Sequence, residues 1–205
     1  MNTFFLDRLN SEPHALAFAG QSTPWPVALA DQSANPALDE ALHTHAAAAQ
    51  ALLYPVSAEL LATTGRPVDL FGFEPNPARL GAAAAASASV PGIALTQLGA
   101  LLDAAALGYN PAQAKPVAVL GHSQGVLAVH MVQAICEAGS IDAAAAKIDE
   151  ILAIATLIGV AGTRQARQLG LAARHGEATP MLSVKDITRA QVDALIERVD
   201  GARGP

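Results

Sequence analysis

The sequence predicts an α/β fold, and three observations carry that prediction. The apolar run 116–120 leads into Gly121-His122-Ser123-Gln124-Gly125 and then into Val126-Leu127-Ala128-Val129, which reads as a strand, a tight turn and a helix start. A second short apolar run, 14–19, ends in Gly20-Gln21 and prolines, as a strand does where it leaves the C-terminal edge of an open sheet, the edge at which ligands bind. Between and after these runs, apolar residues recur at helical spacing in segments bounded by Gly and Pro.

Taken in order, residues 3–10 predict a short amphipathic helix with Phe4, Phe5 and Leu9 apolar, followed by the strand at 14–19 and a loop over 20–26. From Pro36 a helix runs to Leu53, with Asp39 and Glu40 in its first turn to complement the dipole, and Pro55 interrupts it. His43 and His45 stand two apart, on different faces, so they cannot jointly grip a metal and are expected to meet solvent. Residues 65–81 read as a loop anchored by Phe71 and Phe73. The alanine tract at 82–86 favours helix. Pro91-Gly92 is expected to break the chain before a helix over 93–107 that stops at Gly108.

After the elbow and its helix comes a turn at Gly139-Ser140. A helix over 142–169 then carries the apolar stripe Ile148, Ile151, Leu152, Ala155 and Ile158. A loop at 174–177 holds His175, residues 181–184 read as a strand, and Thr188-Arg189-Ala190-Gln191 forms a capping box opening a helix over 192–199. One strand and one helix cannot bury a core, so this last unit is expected to be only the beginning of a subdomain.

Composition narrows the function classes. The 205 residues suffice for one domain with a real core, or one and part of another. Hydrophobic residues make up 52 % and charged ones 15 %, which excludes a disordered chain and points to apolar surface that meets other protein. A net charge of −6 with scattered Lys and Arg makes no basic stripe, so nucleic acid is not expected as a partner. The single cysteine, Cys136, fits a reducing compartment and reads as a buried, inert thiol. Residues 1–10 hold Asp7 and Arg8 and no long apolar stretch, so no secretory signal is read there. No apolar run free of breakers and charges reaches membrane-spanning length, so no membrane is expected, and the chain reads as cytoplasmic.

The chemistry centres on Ser123. A G-x-S-x-G turn between strand and helix forces the serine into a strained conformation at the strand tip, and its neighbours must be small. The helix end behind it supplies free N–H groups and partial positive charge for the oxyanion of an acyl-transfer intermediate. His130 lies about 10 Å further along the helix and is not placed to be the base. His175 has the right chain order for one, though a histidine at a loop tip is ordinarily solvated.

Three stretches resemble the malonyl/acetyl-CoA:ACP transacylase family, and more narrowly the N-terminal acyltransferase region of bacterial type I fatty acid synthases. They are Ala17-Phe18-Ala19-Gly20-Gln21, Val90-Pro91-Gly92-Ile93-Ala94-Leu95-Thr96-Gln97, and the elbow with residues 126–129. Residues 157–163 are similar too. The resemblance implies an α/β-hydrolase-like acyltransferase core over 1–178 and the start of an inserted ferredoxin-like subdomain over 179–205. It implies that Ser123 takes an acyl group from CoA as an ester and passes it to the phosphopantetheine thiol of acyl carrier protein (ACP), with no bound cofactor and no metal. The oxyanion hole would be the backbone N–H groups of Gln124 and Gln21, with His122 and Ile158 on the substrate side.

Two departures from the family pattern matter. Ser22 stands where the family has glycine in Gly-Gln-Gly-Ser. The family's catalytic histidine lies beyond the small subdomain, so this chain is expected to hold the nucleophile without its base and to be inactive alone. Malonyl-transferring members place arginine before the glycine that matches Gly159, where it clamps the malonyl carboxylate. Ile158 at that position implies an uncharged acyl group, acetyl above all, and a priming reaction. The implied partners are ACP and the remaining domains of a homo-oligomeric synthase. Two other readings compete: a serine esterase or thioesterase sharing the elbow, and a non-catalytic structural fragment of the synthase.

Overall fold

The computed structural model describes residues 3–20, 24–56, 58, 69–72, 86–168 and 188–203. In chain order the elements are α1 (Thr3–Ser11), β1 (Ala15–Phe18), α2 (Trp25–Ser33), α3 (Pro36–Leu53), α4 (Ala86–Ala106), the single-turn α5 (Pro111–Ala114), β2 (Ala118–Gly121), α6 (Val126–Ala138), α7 (Ile141–Gln168) and α8 (Arg189–Arg203).

The core is built around α4. Its residues 87–99 are all buried, and α2, α3, α6 and α7 pack against it. By length and composition α4 could cross a membrane, but here it is the central core helix, covered along 87–99 and exposed at Ala100, Asp103 and Ala106. The closest pairing is with α7. Ile93, Leu95 and Leu98 share one cluster with Ile148, Leu152 and Ala155. A Cβ on Gly159 would run into the Ala86 carbonyl, so glycine there lets the two helices touch backbone to backbone. The Ser87 N–H donates to Thr163 Oγ1 (2.9 Å), giving a buried donor near the described start of α4 its acceptor.

β1 and β2 pair in parallel, with Ala15 opposite Ala118 and Phe18 opposite Gly121. Parallel strands need a crossover, and here α2 to α5 lie between them in the chain. The pairing extends at both ends, from Val117 N–H to the His14 carbonyl (2.9 Å) and from His122 N–H to the Phe18 carbonyl (3.0 Å). Leu16, Phe18 and Val119 pack onto the core, whereas Leu120 is 59 % exposed.

Several local expectations hold. The helix over 36–53 starts on an Asn35 cap, whose side chain accepts from Ala37 N–H. Gly108 (φ 95°) follows the end of α4 and Gly139 (φ 91°) caps α6. The capping box is present: Gln191 N–H donates to Thr188 Oγ1 (3.3 Å) and Thr188 N–H to Gln191 Oε1 (2.8 Å). Phe71 anchors its segment by stacking on His43 at 3.6 Å between ring centroids.

Five local expectations fail. Trp25 and Pro26, expected in the loop over 20–26, instead open the helix Trp25–Ser33; Pro26 sits in its first turn, where a missing N–H costs nothing, and Trp25 is buried in the core. Pro91 does not end a helix but lies inside α4. The Trp25 indole lies against Gly92, so burial outweighs the local cost of proline, about 3 kcal/mol. His45 is buried, with its Nδ1 2.6 Å from Asp149 Oδ1, tying α3 to α7. Ile158 leaves the apolar stripe and is 52 % exposed, since Ala155, Thr156, Gly159 and Val160 take the buried face. Cys136 is exposed. The alanine tract at 82–85, Phe73, His175, the strand at 181–184 and the boundary between 178 and 179 lie outside the described residues.

Candidate active site

The elbow forms as the motif requires. β2 ends at Gly121, residues 123–125 make one tight 3₁₀ turn, and α6 starts at Val126. Ser123 adopts φ 54°, a left-handed conformation that is uncommon for a residue with a Cβ. Both flanking glycines are sterically required. A Cβ on Gly121 would stand 2.5 Å from the Gly125 carbonyl, and one on Gly125 would run into the Phe18 carbonyl. Ser123 is thereby presented to solvent at the strand tip.

The other half of the site comes from the end of β1. Gly20 is buried against the elbow: a Cβ there would lie 2.6 Å from the His122 carbonyl oxygen and 2.8 Å from Ser123 Cβ. The two motifs singled out in the sequence, about a hundred residues apart, are thus in contact. Gln21, bonded to Gly20, lies outside the described residues. At the elbow, Gly125 N–H donates to the His122 carbonyl (2.9 Å), and Val126 N–H donates to carbonyls of the turn. Among the described residues the Gln124 N–H meets no acceptor, which leaves it available to an oxyanion.

No hydrogen bond joins Ser123 to a histidine among the described residues. His122 is exposed beside the serine, and His130 is exposed on α6. His14 Nε2 lies 2.8 Å from the Tyr109 hydroxyl, and His43 and His45 are engaged with Phe71 and Asp149. Among the described residues no three His, Cys, Asp or Glu side chains gather as a metal ion would need. A cleft of about 390 Å³ between α5, β2 and α6, lined by Lys115, Val119, Val132 and Cys136 among others, contains none of the sequence-predicted site residues. Partial desolvation of the exposed Cys136 thiol raises its pKa above the ordinary value, and the Glu137 carboxylate adds to the shift, which makes Cys136 a poorer nucleophile near neutral pH.

Ile158 and Gly159 divide their roles. Gly159 packs into α4, and Ile158, one residue earlier, points its apolar side chain outward from α7. Sequence reasoning did not single out Gln97 as a site residue. Its Nε2 donates to the Ala19 carbonyl at 2.5 Å, next to Gly20.

The model of the family described as starter unit:ACP transacylase in aflatoxin biosynthesis matches residues 74–205, more than half of the 205-residue chain. The match includes the elbow and Ile158 and begins after Gly20. No curated protein matches the chain.

Proposed function

Because the chain belongs to the starter unit:ACP transacylase family, we propose that it transfers an acetyl starter from acetyl-CoA to the phosphopantetheine thiol of ACP within a fatty acid synthase. The observation that carries this reading is Ser123 at φ 54°, exposed at the strand tip between two sterically required glycines. Its Oγ attacks the thioester carbonyl, forming a C–O bond. The C–S bond then breaks and CoA leaves as the thiol once the serine proton has been passed on. In the second half the ACP thiol attacks the acyl-Ser123 ester, and the serine is regenerated. The oxyanion of both halves is held by the backbone N–H groups of Gln124 and Gln21.

Acetyl is favoured over malonyl by Ile158. The resemblance puts Ile158 where malonyl-transferring members carry arginine, and an apolar side chain there offers a malonyl carboxylate no charged partner. The same proposal includes an α/β-hydrolase-like core with a ferredoxin-like insertion, a cytoplasmic setting and a homo-oligomeric synthase. The fold and the synthase setting rest on the resemblance of the three sequence stretches, and the cytoplasmic setting on the single cysteine, Cys136.

Intact-mass spectrometry of the full-length native polypeptide after incubation with acetyl-CoA tests the ester. The expected result is one acetyl adduct that is lost in Ser123→Ala and survives neutral hydroxylamine, as an oxygen ester does and a Cys136 thioester would not. An adduct that persists in Ser123→Ala would overturn the assignment.

A further inference from the structure

We propose that Gln97 is a positioning residue for acyl transfer: from the middle of α4 it fixes the exit of β1, and with it the backbone that faces Ser123. This rests on the reading of Ser123 as the nucleophile. Four observations join Gln97 to the elbow. Its side chain is buried, at 8 % exposure, in a helix that packs against the 3₁₀ turn. Its Nε2 donates to the Ala19 carbonyl at 2.5 Å. Ala19 lies one residue beyond the end of β1, so the strand ladder no longer dictates where its carbonyl goes. That carbonyl oxygen also lies 3.0 Å from where a Cβ of Gly125 would be, so it is held between the Gln97 amide and the elbow.

The next residue, Gly20, rests on His122 and Ser123. Rotation of the Ala19–Gly20 peptide would therefore move the backbone against the nucleophile, and the Gln97 donor opposes that rotation. The orientation of the amide is not arbitrary. Ala19 O can only accept, so the nitrogen must face it, and among the described residues Gln97 Oε1 is then left buried without a partner. A buried polar group left unsatisfied opposes folding, so leucine or methionine would suit this core position better if packing were its only role.

The test compares rates of acyl-Ser123 formation in the full-length native polypeptide, with acetyl-CoA as substrate. Gln97→Met keeps the length and removes the donor, and Gln97→Asn keeps the amide but withdraws it by one methylene. Thr96→Val is the control, because the Thr96 hydroxyl donates only to the Ile93 carbonyl within α4. Misplacing an oxyanion donor is expected to slow acylation about tenfold or more, with KM for acetyl-CoA essentially unchanged. Thr96→Val should alter thermal stability without that loss of rate. A wild-type acylation rate in either folded Gln97 variant overturns the proposal. So does a rate loss in Thr96→Val that matches the loss in the Gln97 variants. Acylation that survives in Ser123→Ala, run in parallel, would instead overturn the reading of the nucleophile.

Discussion

Ser123 holds a backbone conformation that costs about 1–3 kcal/mol for a residue with a Cβ. The cost is tolerated because the surroundings allow no other path. A Cβ on Gly121 would meet the Gly125 backbone and one on Gly125 the Phe18 carbonyl, and His122 is bonded through its N–H to Phe18 and through its carbonyl to Gly125. The proposed function assigns acyl selectivity to Ile158 at the same scale. Its exposure on α7 leaves room for a longer, charged side chain, so Ile158→Arg should fold and should raise malonyl loading relative to acetyl by about tenfold or more, the worth of one charge-assisted hydrogen bond. Competition between the two CoA esters, read by mass spectrometry, measures that ratio; an unchanged ratio would remove Ile158 from the acyl pocket.

The elbow was legible in the sequence because all of its requirements are local: a strand, two glycines, a serine and a helix lie within about fifteen residues. The packing of Gly20 on Ser123 was not legible in the same way, since it depends on the register between two strands a hundred residues apart. Gln97 left even less trace, because a lone glutamine in an apolar helix says nothing of what its amide reaches.

At the scale of elements, α4 shows why proline and glycine misled. Pro91-Gly92 has the local signature of a break, but both lie in the fully buried stretch 87–99 of α4, and a helix in that position is sustained by its neighbours more than by its own propensities. Gly92 is needed for tertiary reasons, because a Cβ there would stand 2.5 Å from the Trp25 ring. Gly92→Ala should therefore destabilise the protein by about 1–3 kcal/mol, although alanine is the better helix former. Urea unfolding checks the sign; a gain in stability would mean that α2 yields without cost. The α2 helix was missed for a related reason. Its signal is Pro26 at a helix start, which is easily read as part of a proline-rich loop. His45 illustrates the reverse: its helical position is evident from the sequence, but its burial depends on Asp149 in α7.

At the scale of the whole molecule, the described elements place a helical core behind a two-stranded parallel sheet and set Ser123 at the end of that sheet. Apolar side chains remain exposed near this end of the chain's path, with Leu120 at 59 % and Val126 at 46 %, in keeping with a composition poor in charge. Acyl transfer and hydrolysis begin with the same serine ester and differ only in the acceptor, a thiol or water. The elbow alone does not choose between them; membership of a transacylase family does. The most direct measurement is therefore the fate of labelled acetyl from acetyl-CoA, followed in the full-length native polypeptide with phosphopantetheine-bearing ACP present. Label should accumulate on ACP in preference to free acetate, and Ser123→Ala should abolish the transfer. Release of acetate with no labelled ACP would contradict the transferase, and transfer that persists in Ser123→Ala would contradict the ester on which it depends.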